Sequence, residues 1–172
     1  MGRNEQGQLE AMTALYEGDT DRARELLPPD EELTTSEAAA FGRVDRLRRL
    51  LEEDPARAGE LSTDGFSPLH LAVFGGSAEA IGVLLERGAD PNLVAESSIA
   101  RVPPLGTAAF VRRPDLAELL LDGGADVNGL GEGRFTALDS AVQNGDEAMI
   151  RLLLDRGADP KLGAGIAREA LS

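Results

Sequence analysis

The sequence predicts an all-α solenoid of about five helix–turn–helix units with a short C-terminal closing helix. One indication is a glycine, or once an arginine, that follows a run of mostly small or apolar residues at intervals of 24, 34, 36 and 33 residues. The aligned positions are Gly18, Gly42, Gly76, Arg112 and Gly145. A leucine-rich run follows each position, and self-similarity at a period of roughly 20 to 50 residues is typical of repeat architectures.

Each unit is predicted to contain two helices of different composition. The first is short and contains alanine, as in LHLAVF at 69–74, so that neighbouring backbones can approach closely. The second is leucine-rich on one face, and Gly88, Gly124 and Gly157 follow it where left-handed backbone ends a helix. Because such a unit cannot bury its apolar face alone, stability is expected from the stacking of neighbours.

The period divides the chain into units within one domain spanning 1–172. The units are expected at 9–30, 33–60, 64–92, 93–128 and 129–161, with a closing segment at 162–172. The two N-terminal units lack the glycine–alanine–aspartate tail of the later ones. They are expected to form a terminal capping region with a more polar outer face.

The motifs in the later units resemble those of a known family. SPLHLAVFGG at 67–76, followed by GVLLERGADPN at 82–92, is similar to the ankyrin repeat. The match is strong over 65–161 and degenerate over 9–57. The resemblance implies a concave side, made by the first helices and the turns before them, on which partners bind.

Charge and residue types restrict the possible functions. The formal net charge of −14 disfavours attraction to nucleic acid or to an anionic membrane, and it favours a neutral or basic partner. No cysteine and only one histidine are present, which excludes disulfides, cysteine zinc sites and histidine-rich metal sites. We expect no cofactor and no metal. The sequence has no membrane-spanning run and no signal-peptide core, so a cytoplasmic location is expected. We also expect a monomer.

The aromatic residues are the main candidates for binding. The one tyrosine and five phenylalanines all fall on the predicted concave side, either near the aligned positions or immediately before the turns. Exposed aromatic clusters mark partner sites. The alternative is that these rings pack on the neighbouring unit. The candidate partner-binding residues are Tyr16, Phe41, Phe66, Phe74, Phe110, Val111, Phe135, Gln143, Asn144, Arg112 and Arg113.

Two carboxylates are candidate polar groups of the groove. Glu37 occupies a groove position that is usually apolar in this family, so it is a candidate for a partly buried acid with a raised pKa. The alternative is that Glu37 points to water. Asp139 is the second candidate.

His70 lies in the SPLH motif, and the resemblance implies a structural role for it. In this motif the histidine hydrogen-bonds backbone in its own and adjacent turns. A serine–histidine–aspartate set of Ser140, His70 and Asp139 is rejected, because the units are two steps apart and no nucleophile elbow is present.

The fourth unit departs most from the pattern. Its turn, VAESSIARVPP at 94–104, is lengthened, and Arg112 replaces the expected glycine beside Arg113. A non-glycine residue in a left-handed turn costs about 1 kcal/mol. Either this turn is remodelled, or the arginines serve to bind a carboxylate of a partner. Simple tolerance of loop variation is the third possibility.

The predicted function is a non-enzymatic module that binds a protein or peptide on its concave, aromatic-lined face. Two alternatives remain open. One is an acidic inhibitor or immunity-type partner of a basic enzyme, for which salt should weaken association. The other is a small-molecule binder or enzyme that uses the same groove, for which a deep cavity is required.

Overall fold

A computed structural model describes residues 5–171, with side chains described in 10–19 and 21–171. The ends of the predicted domain, 1–4 and 172, lie outside the described residues. Over 5–171 the chain forms eleven α-helices and no β-strand, which confirms the all-α repeat architecture. The helices are α1 (Glu5–Tyr16), α2 (Thr20–Glu25), α3 (Thr35–Ala40), α4 (Val44–Glu53), α5 (Pro68–Phe74), α6 (Ala78–Glu86), α7 (Pro104–Phe110), α8 (Pro114–Asp122), α9 (Ala137–Asn144), α10 (Glu147–Asp155) and α11 (Ile166–Ala170).

The helices stack in two parallel series. The first helices pack in the order α3, α5, α7 and α9, with α11 against α9, and the second helices in the order α4, α6, α8 and α10. Between them lies one continuous hydrophobic core. Its largest fully buried side chains include Leu47, Leu51, Leu69, Ile81, Leu84, Leu116, Leu120, Leu138 and Met149.

The helix ends follow the local sequence. Pro68 and Pro104 open α5 and α7, where their missing N–H groups cost nothing. Thr136 and Asp139 form a reciprocal capping box that starts α9, and Gly145 ends this helix with left-handed backbone. Such signals determine where these first helices begin and where α9 ends.

The stack brings backbones into direct contact at Gly75. A Cβ atom added there would lie 1.6 Å from the carbonyl oxygen of Ala40 in the preceding unit. Only a residue without a side chain fits this approach.

Asparagines in the repeated tails connect consecutive units. The Asn92 amide donates to the carbonyl of Gly124 at 3.2 Å and accepts from the backbone N–H of Asp126 at 2.7 Å. Asn128 makes the same pair of bonds to Gly157 and Asp159, at 3.4 and 2.9 Å. The asparagine in each of these tails therefore joins it to the tail of the next repeat.

Among residues 5–171, no helix combines the length and the apolar character that crossing a membrane requires.

Candidate partner-binding face

The term concave face denotes the side of the stack formed by α3, α5, α7 and α9 and by the turns before them. Its N-terminal half, over α3 and α5, is covered by α1. Apolar residues of α1 and α2 form a cluster with concave residues, separate from the main core. The members of this cluster are Met12, Ala14, Leu15, Ala23, Ala40, Phe66, Leu71 and Ala95, with Tyr16, Phe41 and Phe74 packed against it.

The expected terminal capping region stays a prediction, but this packing of the first unit on the concave face was not predicted from the sequence. The stacked series of first helices begins at α3, and α1 packs most closely against α2. The physical reason is the content of α1, because Met12, Leu15 and Tyr16 find apolar partners on the concave face.

Tyr16 is the anchor of α1 on this face. Its ring centroid lies 5.1 Å from that of Phe74 and 5.9 Å from that of Phe66. Its hydroxyl donates to Asp64 at 2.5 Å. Burial raises the pKa of Tyr16, and the hydrogen bond and negative charge of Asp64 raise it further, so the phenol stays protonated. Asp64 also accepts a hydrogen bond from Ser62.

Phe66 does not fit the prediction that it contacts a partner. Its side chain is 0 % exposed. The ring packs tilted against His70 and edge-on against Phe74, with centroids 5.8 and 5.4 Å away. The alternative interpretation of the aromatic residues, packing on a neighbouring unit, is the correct one for Phe66.

The C-terminal half of the concave face, over α7 and α9, is different. Phe110 is 68 % exposed at the end of α7. Beside it Val111 is half-buried, and on α9 Gln143 is exposed while Asn144 is half-buried. The Asn144 amide donates to the carbonyl of Ala109 at 3.2 Å. Phe135, in the turn before α9, is half-buried. These residues form the uncovered part of the predicted site.

Glu37 lies inside rather than in water. Its side chain is 2 % exposed, and its carboxylate accepts the backbone N–H and the hydroxyl of Thr34, both at 3.0 Å. The Thr34 hydroxyl in turn accepts the N–H of Glu37 at 3.2 Å. The alternative that Glu37 points to solvent is therefore wrong, and the carboxylate caps α3.

An open cleft of about 470 Å³ lies beside α1. Met12 of α1, Leu71 of α5, Glu37, Arg46 and the 60–64 turn are among its lining residues. Asp139 is not among them, so the structure does not bring the two candidate carboxylates together.

His70 has the structural role that the motif implies. It is 0 % exposed, with Nδ1 2.7 Å from the Ser67 hydroxyl and Nε2 2.9 Å from the carbonyl of Val102 in the next turn. Because a carbonyl only accepts, Nε2 carries the proton and Nδ1 accepts from Ser67. Burial lowers the pKa of His70 to about 4, although the bond to Val102 opposes this shift.

Asp139 occupies the position in its repeat that aligns with His70. The expectation that it is a polar residue of the groove is wrong. Asp139 is fully buried and accepts the N–H and hydroxyl of Thr136 and the N–H groups of Ala164 and Ala167, at 2.9 to 3.1 Å. Burial by itself raises the pKa of this carboxyl, but the hydrogen bonds, led by those from Ala167 and Ala164, outweigh it and lower the pKa. Asp139 therefore fastens the closing segment to the stack.

Arg112 and Arg113 of the fourth unit have acceptors within the chain. Arg112 keeps the left-handed backbone of the glycines it replaces, with φ of 57°, so the turn is not remodelled. Its guanidinium donates to the carbonyl of Asn144 at 2.6 Å. Arg113 forms a two-point ion pair with Asp115, at 2.8 and 2.6 Å.

The comparison with protein families agrees with this architecture. The family described as "Ankyrin repeats (3 copies)" matches residues 4–95 and 98–163. The chain belongs to the ankyrin-repeat family. A search of curated proteins gave no match. Ankyrin repeats are generally modules of protein–protein interaction and typically act as non-enzymatic scaffolds.

Membership in the ankyrin-repeat family explains the role of the repeated side chains, but not all the contacts of α1. Sequence reasoning missed Asp64 as the acceptor for Tyr16, because 48 residues separate the pair. It also missed the bridges made by Asn92 and Asn128. The signal for those bridges was present in the repeated GADPN and GADVN tails.

Proposed function

We propose that this ankyrin-repeat chain binds a protein or peptide on the uncovered half of its concave face, over α7 and α9. The observation that carries the proposal is Phe110, a ring 68 % exposed at a position where the aligned Phe74 is covered. Desolvating such a ring against a partner supplies the energy of a binding hot spot, about 2 kcal/mol or more.

The neighbouring side chains complement this ring. Val111 adds apolar surface, and the exposed Gln143 offers both hydrogen-bond donors and an acceptor to a polar backbone. Arg112 borders the same area, and its guanidinium also binds the carbonyl of Asn144. Phe41 and Phe74 belong to the covered half and contribute only if α1 leaves, whereas Tyr16 lies on α1 itself.

The partner is expected to be neutral or basic. The chain carries a formal net charge of −14, which attracts basic surfaces and accelerates association at low salt. We place this recognition in the cytoplasm and expect a monomeric chain.

Binding rather than catalysis is the proposed activity. The polar groups that a catalytic alternative would use have structural partners: His70 bridges two turns, Asp139 holds the closing segment and Glu37 caps α3. A general acid or base must instead be free to reach a substrate.

The proposal is tested by substituting the exposed ring. Partners are captured from native cell extract, purified, and titrated calorimetrically against the wild type, Phe110→Ala and Leu119→Ala. Leu119 is a matched control, since it is an exposed apolar residue on the second helix α8. We expect Phe110→Ala to weaken binding about 30-fold and Leu119→Ala to leave it unchanged. Wild-type affinity in a folded Phe110→Ala protein would refute the proposed site.

A further inference from the structure

The covered half of the concave face already holds a helix, and the contacts show what kind of helix it accepts. Met12, Leu15 and Tyr16 are spaced at i, i+3 and i+4, which places them on one side of α1. All three pack into the cluster that includes Phe66 and Leu71 of the concave face. This is the arrangement by which an amphipathic helix lies in an apolar groove.

The site also has a polar requirement. The hydroxyl of the tyrosine reaches past the rings of Phe66 and Phe74 to the Asp64 carboxylate. A charge-assisted hydrogen bond of this kind is stronger than one between neutral groups. A phenylalanine or leucine at the same place would leave that oxygen of Asp64 without this donor. This hydrogen bond favours a hydroxyl-bearing ring at this place.

The α1–α2 hairpin packs on the stack through a hydrophobic cluster that is separate from the main core. Its apolar cluster is distinct from the main core, which runs from Leu33 to Ala167. Met12 of α1 and Leu71 of α5 both line the cleft of about 470 Å³. Release of α1 would uncover the concave residues without dividing the main core.

We infer that the concave face over α3 and α5 is a helix-docking site that α1 fills within the chain. Its external occupant is an amphipathic helix with apolar side chains at i and i+3 and a tyrosine at i+4, and it binds after the hairpin has left. This inference rests on the proposed function, because it adds a second, internally blocked half to the same binding face. The charge of −14 favours a helix that is otherwise neutral or basic.

A peptide of the chain's own residues 5–27 provides a probe with the same apolar side chains and tyrosine, although its six acidic and two basic residues give it a formal net charge of −4. The labelled peptide is titrated by fluorescence anisotropy against the full-length wild type and a Leu15→Lys variant. Leu15 is buried in the cluster, so a lysine there should release the hairpin. Thr13→Lys is the matched control, since it adds the same charge on the exposed side of the same helix.

We expect the peptide to bind Leu15→Lys at least about tenfold more tightly than it binds the wild type or Thr13→Lys. The reason is that apparent affinity falls with the fraction of molecules whose site is open. A peptide with its tyrosine replaced by alanine should lose most of this binding. Release can be followed separately, because Tyr16 is the only tyrosine and no tryptophan is present to mask its emission.

Circular dichroism and thermal melting establish that the stack of Leu15→Lys remains folded. If it does not, the full-length Tyr16→Phe variant replaces it, since this change removes only the hydroxyl that Asp64 accepts. That variant should bind the peptide several-fold more tightly than the wild type.

Equal peptide binding by the wild type and a folded releasing variant would overturn the inference. A dimer of the intact chain formed by exchange of hairpins, detected by light scattering, would also overturn it, because the occupant would then be a second copy. None of these measurements uses the partner or Phe110, so their failure leaves the proposed function standing.

Discussion

The two halves of the concave face are built from the same repeat but present different surfaces. Over α3 and α5, Phe66 and Leu71 are fully buried beneath α1, and Phe74 packs against the same cluster. Over α7 and α9, Phe110 is 68 % exposed. The position in the repeat therefore fixes where a ring lies, whereas its neighbours decide whether the ring stabilises the fold or remains available for binding.

The aligned pairs make this difference specific. Phe74 corresponds to Phe110, Gly75 to Val111, and His70 to Gly106. Phe74 contacts the ring of Tyr16, and Gly75 lies against the carbonyl oxygen of Ala40. Phe110 and Val111, at the aligned positions, lack these contacts. Substitutions at such pairs test the comparison directly.

The largest effect is expected for Gly75→Ala. The new Cβ atom would lie 1.6 Å from the Ala40 carbonyl oxygen, so the two units must move apart. We expect the free energy of unfolding, measured by urea denaturation with circular dichroism, to fall by about 3 kcal/mol or more. Val111→Ala at the aligned position is the control and should cost less than about 1 kcal/mol. Equal losses at the two sites would contradict the close approach at Gly75.

A smaller effect is expected for the pair of phenylalanines. Phe74→Ala removes a ring that contacts Tyr16 and Phe66, and should lower the free energy of unfolding by about 3 kcal/mol at most. Phe110→Ala should change it by less than about 0.5 kcal/mol, since the ring is mostly in water. The same denaturation experiment measures both. If Phe110→Ala proved as costly as Phe74→Ala, the two halves would not differ as described.

The third prediction concerns pH and the boundary between the halves, where His70 bonds the carbonyl of Val102. Its pKa is about 4 in the folded chain, against an ordinary value of 6.5 that applies once the chain unfolds. Because the folded pKa is the lower one, the unfolded chain binds the proton first as pH falls. The contribution of neutral His70 to the free energy of unfolding is therefore complete above pH 6.5 and is lost as the pH falls toward 4. We expect about 2 kcal/mol of it to disappear between pH 7 and pH 5.

His70→Gln is the control for this prediction, because it removes the titrating group. Its stability, measured by urea denaturation at each pH, should depend less on pH over the same interval. Parallel curves for the variant and the wild type would show that His70 is not responsible.

Much of the fold follows from local sequence. The aligned glycines and Arg112 keep left-handed backbone, and the leucine runs supply the buried faces of the second helices. His70 could be predicted because its partners lie in its own turn and the next repeat. The site was less predictable. Phe66 and Phe110 both satisfy the pattern of a concave aromatic residue, yet one is buried and the other exposed.

The sequence by itself determined the repeat, the α-helical class, the acidic charge and the placement of the aromatic residues on one side of the stack. These properties depend on backbone preferences and on the period of apolar residues, which neighbouring positions encode. Only the tertiary structure decided that α1 lies over α3 and α5, that Asp139 holds the closing segment and that Phe110 stays exposed. Those outcomes depend on contacts such as that of Tyr16 with Asp64, whose partners lie far apart in the chain and meet only after the units have stacked.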